Sequence, residues 1–222
     1  MLRPDPVGDL TPMYQFLPQI ILLLFAITVH EYAHAYVADK RGDDTARLMG
    51  RLTLNPIAHI DMFGTVLLPM MLIITRSPIL FGWAKPVPIN PHRLSNMRKD
   101  VMLIGLAGPA ANFLLAIISS FCLWLARSFG VSEVIMSLLV FFLQINILLA
   151  VFNLIPVPPL DGGNVITGLL PAKIAYQYEK LKPYGFFIIL FLWWSGLLSS
   201  IIGPIVNFLV HWLVSGGTGI HV

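Results

Sequence analysis

The chain has 222 residues, 57% of them hydrophobic and only 11% charged, with a net charge of +3 and a mean hydropathy of +0.80. A soluble domain is about one quarter charged, so this composition excludes an ordinary soluble fold and predicts an α-helical polytopic membrane protein. The modest, clustered positive charge speaks to membrane topology and not to a nucleic-acid partner, and the single Cys122 excludes an intrachain disulfide framework.

Residues 1–13 lack the basic region and small-residue cleavage site of a secretory signal, so the first apolar segment, 14–38, is expected to be retained. It carries HEYAH at 30–34. On a helix, His30 and His34 stand one turn apart on one face, so both imidazoles can reach one metal ion. Glu31 beside them is placed to act on water and not to bind the ion. Two packed histidines on a core helix would be the bland alternative. At membrane depth, however, two imidazoles and a carboxylate carry a desolvation cost that marks a functional site.

Residues 39–61 are too few for a separate domain. Within them His59 reads as a group orienting the site, a substrate contact or an interfacial histidine. The apolar run from Met62 to Thr75 is short for a crossing, and Arg76, Pro78, Gly82 and Pro86 follow it, so 62–86 is read as a re-entrant half-span. The prolines of 83–91 make that stretch extended, and with 50–54 it is expected to be strand-like.

The second full span, 100–126, contains GPAAN with Asn112. The third, 132–156, runs into NLIPVPPLDGG, which holds Asn153 and Asp161 and extends the segment to 163. An amide within a span either ties helices together or offers a hydrogen bond to a substrate carbonyl or oxyanion, and both readings stand for Asn112 and Asn153. Asn146 and Gln144 read as contacts between helices. The fourth segment, 184–213, is long for one span, and Gly203-Pro204 predicts a kink or break in it. No internal repeat, low-complexity tract or linker divides residues 1–222, which read as a single membrane-embedded domain.

Charge sets the orientation. If four spans alternate and 62–86 returns to its own side, Lys40, Arg41, Arg47, Arg51, Lys85, Arg93, Arg98, Lys99, Lys173, Lys180 and Lys182 share one face, against Arg3 and Arg127 on the other. The positive-inside rule makes the crowded face cytoplasmic, and the histidines then lie toward the cytoplasmic end of the first span. A catalytic zinc needs a third protein ligand and an open position. Of the candidates His59, His92, His211, Cys122 and the acids, topology disfavours His211 and Cys122, which fall toward the outer side. Asp161 arrives on the histidines' side in a proline-broken segment, and is the expected ligand.

HEYAH, GPAAN and NLIPVPPLDGG, in this order and spacing over residues 20–170, resemble the site-2 protease family of intramembrane metalloproteases. LNPIAHID at 54–61 and FGWAKPVPINP at 81–91 resemble its short branch, without PDZ or CBS modules. The resemblance implies one zinc ion on His30, His34 and Asp161, with Glu31 as catalytic acid/base. It also implies a three-helix catalytic core facing the cytosol and an assisting role for Asn112 and Asn153 in substrate or transition-state binding. The expected activity is endopeptidase cleavage of transmembrane protein substrates within the bilayer of the cell membrane, in regulated proteolysis or clearance of signal-peptide remnants. A metal-ion transporter and a prenyl-type membrane protease are the rival readings. Water would reach the metal by a polar path lined by the region of His59 and the 162–183 loop. Substrate identity and homo-oligomer formation are not encoded legibly.

Overall fold

The computed structural model describes residues 11–75 and 82–215, so Arg3, Arg76 and the N-terminal reading lie outside the described residues. Four helices are long and apolar enough to cross a membrane. They belong to α1 (Thr11–Lys40), α4 (Met97–Ser128), α5 (Glu133–Asn153) and α9 (Leu197–Val214). The chain is a multi-pass α-helical membrane protein.

Helices α1, α4 and α5 pack side by side. Along α4 the buried positions Ile104, Gly105, Gly108, Asn112, Ala116, Ser119 and Leu123 recur every three or four residues, so they form one stripe. The stripe is rich in small residues, which lets backbones approach where lipid supplies no hydrophobic drive between helices. Contacts from His34 to Ile104 and from Ala26 to Asn112 run oppositely along the two helices, so α1 and α4 are antiparallel. Asn112 to Asn146 and Ser119 to Leu139 show the same for α4 and α5. Ala116, Leu123, Leu143 and Ile147 form the apolar core, against which Val206, Leu209 and Val210 of α9 pack.

The ends of this bundle that carry the eleven clustered cations also carry the short elements. Helix α2 (Thr45–Leu48) follows α1. The half-span consists of a π-helical stretch, Met62–Leu67, continued by α3, Leu68–Ile74. At about 1.5 Å per residue this is too short to cross. Its return is fixed by hydrogen bonds from Trp83 N to Gly64 O (3.1 Å) and from Thr65 Oγ1 to Trp83 O (2.8 Å). Trp83 therefore lies beside the first turns of the half-span, at the end where the segment began.

Two expectations are corrected. Residues 83–90 are extended but join no sheet, and the described residues contain no β-strand. Prolines 86 and 88 donate nothing, and three other amides go to unrelated partners: Lys85 N to His59 O, Val87 N to Glu31 Oε2 and Asn90 N to an Asp43 carboxylate oxygen. The second correction concerns 184–213, which is two helices and not one. Helix α8 (Gly185–Trp194) ends at Ser195, Gly196 adopts a left-handed φ of +76°, and α9 begins at Leu197. Pro204, where the kink was expected, lies inside α9. The left-handed glycine ends the first helix, a conformation in which a residue with a side chain would be strained.

Candidate active site

His30 and His34 project from α1 toward the small-residue stripe of α4, and both are 6% exposed. At about 1.5 Å per residue they lie roughly 15 and 9 Å along the helix from Lys40, below its charged end. Asp161 approaches from a third element. After Asn153 the chain turns through 154–160 and restarts as α6 (Asp161–Leu169), with Asp161 in its first turn. That turn is tight enough that a side chain on Gly162 would strike the backbone carbonyls of Leu154 and Ile155, which explains why glycine follows the aspartate.

The three groups meet at their tips. His30 Nε2 is 3.0 Å from His34 Nε2, and Asp161 Oδ2 is 3.1 Å from the first and 3.2 Å from the second. Among the described residues this is the one cluster of metal-ligating side chains that converges in this way.

The hydrogen bonds behind the rings decide where their protons are. Asn112 Nδ2 donates to Ala26 O and to Asn146 Oδ1 (2.8 Å), so its Oδ1 is the atom that faces His30 Nδ1 at 2.6 Å. Since that oxygen can only accept, His30 carries its proton on Nδ1. Likewise His34 Nδ1 donates to Ile104 O at 2.7 Å. When the rings are neutral, both Nε2 atoms therefore present lone pairs to each other and to a carboxylate oxygen that is buried with no hydrogen-bond donor in bonding geometry. Three acceptors so close repel unless a cation lies among them. A tetrahedral zinc with bonds of about 2.0–2.1 Å sets its ligands about 3.3 Å apart, so the His₂Asp set fits that ion in both chemistry and spacing.

Helix α4 shapes the space. A Cβ on Gly108 would run into His34 Nε2 and come within 2.6 Å of His30 Cε1, so this glycine leaves the room in which the ligand atoms face one another.

Glu31 does not belong to the triad. Its Oε2 accepts the Val87 N–H at 3.0 Å. His59 is buried, with Nε2 donating to Thr53 O at 2.9 Å and its main-chain oxygen accepting Lys85 N. It therefore braces the segment that reaches Glu31 and adds nothing to the triad. Asn153 directs Nδ2 to Leu149 O of its own helix at 2.9 Å, and no hydrogen bond among the described residues joins it to the ligands. Asn112 is fully enclosed, and its oxygen and nitrogen are both taken by protein groups, so it has nothing left to offer a substrate. His92 is exposed, and Cys122 lies 14 positions, about 21 Å, along α4 from Gly108. Asn146 ties α5 to α4 through Asn112, as its reading as an interhelical contact implied, whereas sequence reasoning missed Gly108, the Ile104 carbonyl and the Val87 N–H. Two of these are main-chain groups that no residue type announces.

With this geometry in view, known proteins are informative. Peptidase family M50 matches the chain over residues 18–135 and 125–195. The chain belongs to peptidase family M50. It is a zinc metalloprotease of the site-2 protease kind that its motifs resemble. A Bacillus subtilis relative named "Putative zinc metalloprotease YwhC" is 40% identical over 194 residues, covering 85% of each chain. "Putative zinc metalloprotease Rip2" of Mycolicibacterium smegmatis is 31% identical, over 85% of this chain and 71% of its own. A "Zinc metalloprotease" of Methanocaldococcus jannaschii is 26% identical, over 70% of this chain and 35% of its own. No solved structure gives a significant match.

For this peptidase the architecture predicts that Gly108→Leu abolishes zinc retention, measured as metal per purified chain, while the α-helical circular dichroism of the protein is kept. The Asn112→Ala change removes the acceptor that orients His30, and should weaken zinc affinity about 10- to 100-fold in a chelator competition. Unchanged affinity in that variant would show that the amide does not hold the ring.

Proposed function

We propose that this M50 peptidase is an intramembrane endopeptidase that binds one zinc ion through His30, His34 and Asp161 and transfers protons through Glu31. The observation that carries this reading is the convergence of two Nε2 lone pairs and an unpartnered carboxylate oxygen beside Glu31, within a span. Zinc in a site of this kind acidifies water and withdraws electrons from a carbonyl. Glu31 takes the proton of the attacking water and passes it to the nitrogen of the leaving segment as the peptide bond breaks. The Val87 N–H holds one carboxylate oxygen, and the second does the proton transfer. Asn112 serves the reaction through His30, whose Nδ1 its side-chain oxygen holds. Asn153 lacks any link to the ligands that would support a part in the reaction.

The substrates on this reading are membrane proteins. Exposed apolar surface along α1 and α4 (Ile21, Phe25, Leu114, Ile117 and Phe121) supports a site within lipid, where soluble chains do not enter. The clustered Lys and Arg support a cytoplasmic placing of the active-site end in the cell membrane. Water enters on the Asp161 side, where the carboxylate is 14% exposed, against 8% and 7% for the two histidine side chains.

Glu31→Gln is isosteric and removes the base. It should lower cleavage of a membrane substrate by at least about a hundredfold with zinc per chain unchanged. Quantitative comparison of membranes carrying parent and variant should reveal spans that accumulate uncut. If the parent protein moves zinc across vesicle membranes and cuts no protein, the reading fails in favour of transport.

A helical substrate hides its carbonyls in i→i+4 hydrogen bonds, so the scissile stretch must unwind before attack. Gly or Pro introduced near the cut should raise the cleavage rate, and Ala or Leu should lower it. Equal rates for both series would show that unwinding is not required.

A further inference from the structure

We propose that Arg51 is a positioning residue for Glu31, acting through the Pro86–Val87 peptide. This rests on the reading of Glu31 as the proton-transfer group.

Arg51 is only 7% exposed, and no carboxylate among the described residues lies within ion-pair distance of it. Its Nη2 instead donates to Lys85 O at 2.6 Å and, over a longer 3.4 Å, to Pro86 O. Its Nε is buried with no acceptor. A buried guanidinium answered only by main-chain oxygens is an expensive way to hold a loop, since neutral or apolar side chains avoid the desolvation cost. The position of those oxygens supplies a reason for it.

Pro86 O and the Val87 N–H are the two ends of one peptide unit. Arg51 draws on the oxygen end, and the nitrogen end donates to Glu31 Oε2 at 3.0 Å. The order is guanidinium, peptide, carboxylate, in which each hydrogen bond polarises the next and strengthens it. Lys85 N on His59 O adds a further fixed point, at 2.9 Å. Pro86 and Pro88 flank Val87 and restrict its backbone, leaving the peptide few other orientations. Arg51 thus aims an N–H at one oxygen of Glu31 and fixes the side chain.

The test uses the full chain in lipid–detergent micelles with a membrane substrate, rates being normalised to zinc content. Arg51→Gln should lower kcat by about 10- to 100-fold with KM and zinc per chain unchanged, and Arg51→Lys should restore most of the loss. Val87→Pro deletes the one N–H at a site already between prolines, and should give a loss of similar size. The double variant should fall no further than the worse single one, because both changes cut the same chain of bonds. In metal-free protein, the infrared carboxylate band assigned to Glu31 by its disappearance in Glu31→Gln should shift in both single variants. Full kcat in Arg51→Gln, losses that multiply in the double variant, or an unmoved Glu31 band would each overturn the proposal. An inactive parent counts against the proposed function instead, and the infrared measurement still decides the role of Arg51.

Discussion

The site is organised around an electrostatic conflict that only a cation resolves. Asn112 and Ile104 take the Nδ1 protons of His30 and His34, and in doing so turn both Nε2 lone pairs inward toward the Asp161 carboxylate. A folded chain would not keep three acceptors at such spacing in a low-dielectric interior without something positive among them. The small-residue face of α4, the restart of the chain at Asp161 and the amide pair Asn112–Asn146 all follow from holding that arrangement against repulsion. The bundle of α1, α4 and α5 is accordingly both the membrane anchor and the frame of the site.

Around this frame the peptidase adds a second, softer layer. The returning half-span and the extended 83–90 segment are tied by single hydrogen bonds to Gly64, His59, Glu31 and Asp43, and not by a ladder. Such a layer brings main-chain donors to the site without needing a sheet edge at membrane depth, where unpaired backbone groups are costly. It also joins residues far apart in sequence, since Arg51 holds the Lys85 and Pro86 carbonyls and Val87 reaches Glu31.

Much of this was legible in the chain. Helical period alone sets His30 and His34 on one face, and the apolar surroundings make their presence costly enough to demand a role. Asp161 stood out because prolines break the helix before it on the histidines' side. What escaped was whatever depends on tertiary approach. Both an interhelical tie and a substrate contact stayed open for Asn112 because an amide's partner is chosen by packing, and here packing gave its oxygen to His30 and its nitrogen to Ala26 and Asn146. Asn153 has the same chemistry but turns back on its own helix. The break at Gly196 was misplaced to Pro204 because a proline is tolerated within a membrane helix, whereas a left-handed glycine ends one. The strand expected at 83–91 failed because extended conformation is a local property and pairing is not.

The two histidines are oriented by different kinds of group. His34 leans on a main-chain oxygen, that of Ile104, which every amino acid at position 104 would supply. His30 leans on a side chain, which one codon change removes. Sequence drift can therefore retune one ligand of the pair while the other stays fixed by the fold, giving metal affinity an adjustable half and an invariant half.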